Sequence, residues 1–118
     1  MYYENLPIFK SALELCVYLE TIIRKFEKYH KYTIGVDLRI YSKEILFLIN
    51  RANISQKDRV ANLVKLRNGC EDLKMLVRLS KELKAFRSFK QFEQSSKLVI
   101  NVCRQAQAWL TSTAGVSR

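Results

Sequence analysis

The chain has 118 residues, of which 48% are hydrophobic and 27% charged, with only three glycines and one proline. So few turn-forming residues exclude a fold of many short strands, and they favour a few long helices around one core in a single domain that spans residues 1–118. Lys and Arg number 21 against 11 Asp and Glu, a net charge of +10, which indicates a polyanionic or acidic partner. The alternative is that the charge serves only solubility.

The first predicted helix begins after Asn5, with Pro7 in its first turn, and ends near Phe26. The second runs from about Thr33 to Ala52, and Gly35 at its start predicts a close approach of another backbone. In both helices the apolar residues recur at intervals of three and four, as on the buried face of a helix. These core positions are Ile8, Ala12, Leu15, Leu19, Ile22 and Phe26, widened by Cys16 and Ile23, and then Ile34, Leu38, Tyr41, Ile45, Leu48 and Ala52.

A second apolar face on the second helix lies almost opposite its core face and contains Val36, Ile40 and Phe47. A helix that is apolar on two sides is normally buried on both. In a bundle of four helices only a partner can cover the outer face, so these residues predict a homo-oligomer interface. The alternative is a few scattered apolar residues on the surface, which are common.

The third predicted helix starts near the candidate caps Ser55 and Asp58 and runs to about Ala85. Gly69 within it predicts close packing of another helix, and the alternative is local flexibility alone. Ser88 and Gln91 then form a capping-box pattern that opens the fourth helix, while residues 111–118 are expected to fray. Four amphipathic helices with short links predict an up-down-up-down four-helix bundle. The core positions are Leu63, Leu66, Cys70, Leu73, Val77 and Ser80, and then Phe92, Ser95, Val99, Val102, Ala106 and Trp109.

A basic stripe lies beside the core face of the third helix. Residues 57–90 hold ten Lys and Arg and four Asp and Glu, a net of +6. Intrahelical pairing of Arg67, Lys74 and Arg78 with Glu71 and Glu82 is the alternative explanation, but two glutamates cannot neutralise seven cations. We therefore predict that this stripe binds nucleic acid or an acidic polymerase surface, with Arg24 and Lys25 on the first helix lying apart from it. Its residues are Arg67, Lys74, Arg78, Lys81, Lys84, Arg87 and Lys90.

The sequence contains no recognisable set of active-site residues. The chain has no Gly-rich phosphate loop or nucleophile elbow, and its single histidine, His30, is the only candidate base at neutral pH. One Glu27-x-x-His30 motif cannot supply the two pairs of a di-metal bundle site. We expect no enzyme activity, no metal and no cofactor. A toxin or nuclease-like enzyme would need an unrecognised site.

The cellular setting is predicted from what the chain lacks. No apolar run approaches the ~20 residues of a membrane span, and residues 1–5 lack the basic start of a signal peptide. Cys16, Cys70 and Cys103 are widely spaced on or beside apolar stripes, as expected of free core thiols rather than a disulfide framework. We expect a soluble cytoplasmic protein without a membrane partner.

Several motifs resemble a known family of four-helix bundles. They lie in residues 26–39, 76–83, 88–93 and 109–110, and the most specific are the Tyr32-x-Ile34-Gly35 start of the second helix and the turn at residues 88–91. The family includes the accessory variability determinant (Avd) of diversity-generating retroelements and the proteins encoded in intervening sequences of bacterial large-subunit ribosomal RNA. The chain departs from it at residues 29–31, where many relatives have a proline, and at Ala108, where a glycine is common.

The resemblance implies a homo-oligomeric barrel, a pentamer in the family, that binds the retroelement's reverse transcriptase and its template RNA. Such an accessory protein supports error-prone cDNA synthesis, which then diversifies a target gene. The ribosomal branch implies instead a structural oligomer or a non-specific nucleic-acid binder. Which reverse transcriptase and which RNA are bound does not follow from the motifs.

Overall fold

The long amphipathic segments of the sequence form helices in the computed structural model, which describes residues 2–115. Within that range no residue forms a β-strand, so the all-α prediction is confirmed. The four predicted helices correspond to α1, α3, α4 and α5, whereas the short α2 was not predicted because its polar residues carry no apolar period. After a 3₁₀ turn at Tyr3–Asn5, the helices are α1 Pro7–Ile23, α2 Lys28–Lys31, α3 Ile34–Ile54, α4 Arg59–Glu82 and α5 Phe89–Ala114.

The core is built from the predicted apolar faces of the four long helices. The face of α4 from Leu63 to Ser80 is buried throughout, and α1 and α5 bury most of theirs. One core position is wrong: Tyr41 is 41% exposed and its neighbour Ser42 is buried. The small Ser42 allows α1 to come close, since the Cys16 thiol donates a hydrogen bond to the Ser42 carbonyl oxygen at 3.2 Å.

Polar contacts show which ends of the helices adjoin. Arg39 near the start of α3 pairs with Glu20 near the end of α1 at 2.7 Å. The Gln105 amide near the end of α5 donates to the Ser11 hydroxyl near the start of α1 at 2.8 Å. The Arg59 guanidinium donates to the carbonyl oxygen of Ala52 at 2.7 Å, which ties the start of α4 to the end of α3. Consecutive long helices therefore meet end to start around one core.

Several predicted helix boundaries move by a few residues. The Ser88 hydroxyl accepts a hydrogen bond from the Gln91 amide at 3.3 Å, so the predicted cap of α5 is present. Helix α4 ends at Glu82 and not at Ala85, and residues 111–114, expected to fray, are helical because α5 continues to Ala114. The remainder of the segment expected to fray, residues 116–118, lies outside the described range.

The two glycines expected to allow close packing differ in the space around them. A Cβ atom added to Gly35 would lie 3.0 Å from both the His30 carbonyl oxygen and Ile23 Cγ2, so the close approach at the start of α3 is confirmed. At Gly69 an added Cβ atom would have no neighbouring atom within 4 Å, and the prediction of a close helix there is wrong. Among residues 2–115 no helix has both the length and the apolar character needed to cross a membrane.

Candidate nucleic-acid interface

The basic stripe of α4 borders a groove between α4 and α5. Lys74, Met75 and Arg78 line this groove from α4, and Phe92, Ser96 and Ile100 line it from α5, around a volume of about 320 Å³. One turn further on, the Lys81 ammonium lies over the Phe92 ring, 5.1 Å from its centroid. The predicted helical face is therefore one wall of a concave surface, here called the α4–α5 groove. Arg67 lies two turns before Lys74 on the same helix.

Two glutamates pair with three of these cations. Lys74 lies 3.0 Å from Glu71, and the hydrogen bond between them raises the pKa of the Lys74 ammonium, which stays charged at neutral pH. Arg78 lies 3.1 Å from Glu82, and Lys81 shares the same carboxylate at 3.8 Å. All of these pairs are partly exposed, where an ion pair contributes only ~0.2–1 kcal/mol. A polyanion could therefore displace the glutamates at little cost.

The other predicted cations have different surroundings. The Arg67 guanidinium donates to the Asn68 side-chain oxygen at 3.2 Å and does not pair with Glu71. Lys84 and Lys90 are exposed, and neither forms a salt bridge within residues 2–115. Four of the seven predicted cations are thus left without a carboxylate partner in the described part of the chain.

The turn between α4 and α5 lies against the end of α1. Arg87 donates from Nε to the Lys25 carbonyl oxygen at 2.7 Å, and the rings of Phe26 and Phe86 meet edge to face with centroids 5.8 Å apart. Lys25 therefore adjoins the basic stripe, and the prediction that it lies apart is wrong. Lys28 of α2, three residues further along the chain, is also exposed.

Two further features of this surface were not predicted. Phe89, at the start of α5, is 64% exposed and has the Lys81 ammonium 5.9 Å from its ring centroid. Arg104 lines the next depression along α5, together with Glu71 of α4. The spacing of Lys90, Lys97 and Arg104 by seven residues is a signal for a second basic row, since such residues share a helix face. Nothing in the sequence distinguishes Phe89 from a core position.

The predicted oligomer residues lie outside the core. Ile40 is 58% and Phe47 52% exposed, and Val36, on the same side of α3, is 37% exposed. Val36 also lines a depression with Leu79 of α4, Leu83 just after that helix, Tyr29 of α2, and Tyr32 just after α2. The second apolar face of α3 thus continues onto α4.

The three thiols are buried or half-buried, and Cys103 lies beneath the depression that Arg104 and Glu71 line. Cys70 and Cys103 are buried, and their hydrogen bond, together with burial, raises the pKa of the Cys70 thiol. Cys16 is half-buried, and burial raises the pKa of its thiol as well. Among residues 2–115 no three His, Cys, Asp or Glu side chains come close enough to hold a metal ion.

Comparison with known proteins does not assign the chain to a family. No family model matches the chain, and no curated protein matches it significantly in sequence. The resemblance to the accessory variability determinants and to the ribosomal intervening-sequence proteins therefore stays a prediction from the motifs.

Proposed function

We propose that the chain is a non-catalytic accessory protein of a diversity-generating retroelement, which binds template RNA and the reverse transcriptase through its basic stripe and supports mutagenic cDNA synthesis in the cytoplasm. The observation that carries this proposal is the excess of cations on one surface. Seven Lys and Arg side chains lie along α4, the turn after it and the first turn of α5, and Glu71 and Glu82 pair with only three of them. Such a surface suits a phosphate backbone, which gives binding with little base preference.

The proposed assembly is an up-down-up-down four-helix bundle that forms a homo-oligomeric barrel, a pentamer by resemblance to the family. Contacts between the end of one long helix and the start of the next support the order of the helices. The exposed apolar side chains of Ile40 and Phe47 support an interface between subunits. The same face also supports the second candidate, a ribosomal intervening-sequence type of structural oligomer whose charge is incidental.

Charge reversal of Arg78 and Lys81 tests the basic stripe. The double variant Arg78→Glu, Lys81→Glu should bind fluorescently labelled RNA more weakly than wild type. The slope of log affinity against log salt should also become shallower by about 1.4, since each lost phosphate contact removes about 0.7 for single strands. Fluorescence anisotropy at salt concentrations between about 50 and 200 mM measures both effects, and the same variants can be tested for co-elution with the reverse transcriptase.

A control of equal charge change is available at the other end of α4. Lys57 and Lys65 are exposed, and Lys65 lies roughly 20 Å from Arg78 at 1.5 Å per helical residue, beyond the Debye length of about 8 Å at physiological salt. Lys65 is two residues from Arg67 but lies on nearly the opposite face of α4, at about 100° per residue. The variant Lys57→Glu, Lys65→Glu should keep most of the RNA affinity. Equal losses of RNA affinity in both variants would mean that the net charge of the protein, and not the basic stripe, determines RNA binding. An absence of RNA binding near 50 mM salt would favour the structural oligomer.

A further inference from the structure

The α4–α5 groove combines cations with exposed apolar side chains. Its cations, Lys74 and Arg78, stand beside Met75 and Ile100, which are 65% and 40% exposed. Phe89 lies at the end of the groove, next to Phe92 with ring centroids 5.6 Å apart. Phosphate binding alone does not require exposed apolar groups, whose contact with water is unfavourable.

Single-stranded nucleic acid is the polyanion that fits both features. In a duplex the bases are stacked and paired inside, so that only phosphates, sugars and base edges meet a protein. In a single strand the faces of the bases are free to stack on aromatic and apolar side chains while the phosphates contact Lys and Arg. The groove offers a cationic wall on α4 and an apolar floor that reaches α5.

The dimensions of the groove agree with a short stretch of nucleotides. From Phe92 to Ile100 the groove follows α5 for about 12 Å at 1.5 Å per residue, and Phe89 lies about one turn before it, so that the whole is as long as a few nucleotides. Lys81 lies over the rings of Phe89 and Phe92, which keeps a positive charge beside the proposed stacking position. In the free protein, Lys74 pairs with Glu71 and Arg78 pairs with Glu82, which keeps both cations beside the groove.

We propose that the α4–α5 groove binds unpaired nucleotides, with phosphates on Lys74, Arg78 and Lys81 and a base stacked on Phe89. This inference rests on the nucleic-acid binding proposed above and specifies its ligand as a single strand. An unpaired segment of RNA, rather than a duplex, is then the part of a template that this chain contacts.

The test combines a protein variant with a matched ligand. The full chain and the variant Phe89→Ala are titrated with a labelled 12-nucleotide single strand, and with an abasic strand that keeps the phosphates but lacks the bases. Base stacking on one aromatic ring is worth about 1–3 kcal/mol, so removal of the bases should weaken binding to wild type about tenfold. The Phe89→Ala variant should bind the normal strand about tenfold more weakly, with an unchanged salt slope and little further loss for the abasic strand.

Controls separate this inference from the proposed function. Tyr2 is another exposed aromatic residue, in the N-terminal segment before α1, and the variant Tyr2→Ala should bind like wild type. A 12-base-pair duplex should bind more weakly than the single strand and should not respond to Phe89→Ala. Equal binding of normal and abasic strands by wild type would overturn the stacking inference while leaving phosphate binding intact. A failure to bind any of these oligonucleotides near 50 mM salt would overturn both proposals.

Discussion

The atoms around Gly35 leave almost no space for a side chain at this position. The space that a Cβ atom would occupy is limited by the His30 carbonyl oxygen and by Ile23 Cγ2, each at 3.0 Å. Contacts this short force a backbone or a packed side chain to move. The glycine at the start of α3 therefore lets the connection from α1 through α2 to α3 pack tightly without displacing these atoms.

The two glycines give opposite predictions for the same substitution. Gly35→Ala should lower the free energy of unfolding by about 1–3 kcal/mol, as overpacking of a tight site does. Gly69→Ala lies within α4 with open space around it, and it should raise the free energy of unfolding by about 0.5–1 kcal/mol through better helix propensity. Urea unfolding followed by circular dichroism measures both. Stabilisation by Gly35→Ala would show that the packing there can relax.

At the scale of the element, α4 ends in a Schellman motif. The Ala85 amide donates to the Ser80 carbonyl oxygen and the Lys84 amide to the Lys81 carbonyl oxygen, both at 2.9 Å. Lys84 adopts a left-handed conformation with φ of 62°, a position normally taken by glycine. The buried Ala85 follows it and anchors the turn. A lysine at this position adds a cation to the basic stripe at a cost in stability.

This cost predicts a trade-off at Lys84. The variant Lys84→Gly should raise the free energy of unfolding by roughly 1 kcal/mol, since a side chain at positive φ costs about that much. The same variant should weaken RNA binding because a charge is lost. The variant Lys84→Gln removes the charge and keeps the strain, so it should weaken RNA binding to the same extent without any gain in stability. Thermal unfolding and anisotropy on the three proteins distinguish the two effects.

At the scale of the whole molecule, one group of exposed apolar side chains lies on α3 and beside the end of α4. Ile40 and Phe47 of α3 are more than half exposed, and Leu79 and Leu83 of α4 are each nearly half exposed. Burial of such side chains contributes about 1.5–3 kcal/mol each. Val36, Leu79 and Leu83 line one depression, so part of this apolar surface is continuous from α3 to α4, as an interface between subunits requires.

Charged substitutions on α3 test the assembly. The variant Ile40→Asp, Phe47→Asp should give a folded monomer with unchanged helicity, measured by light scattering and circular dichroism. Leu13 and Val17 on α1 are comparably exposed, and the variant Leu13→Asp, Val17→Asp serves as the control that keeps the oligomer. An oligomer that survives the α3 substitutions would show that this face is not the interface.

The sequence by itself determined the four long helices and most of the core. Helical periodicity is a local property, and the spacing of three and four residues identifies the buried face of a helix without reference to its neighbours. The same reasoning predicted that the cations of α4 share a face and that the cap at Ser88 opens α5. The rotation of a helix about its own axis depends on the helices that it packs against, so local periodicity does not determine it. For this reason the sequence pattern assigned Tyr41 to the core in place of Ser42.

Only the tertiary structure decided what surrounds the basic stripe. Arg87 and Lys25 are 62 residues apart in sequence and meet at 2.7 Å, and Phe89 is exposed beside Lys81 although its sequence position resembles the core. The end of α4 at a left-handed lysine leaves no glycine in the sequence to mark it. These features depend on how the helix ends adjoin, because contacts between distant residues arise from packing of the whole bundle rather than from any single helix.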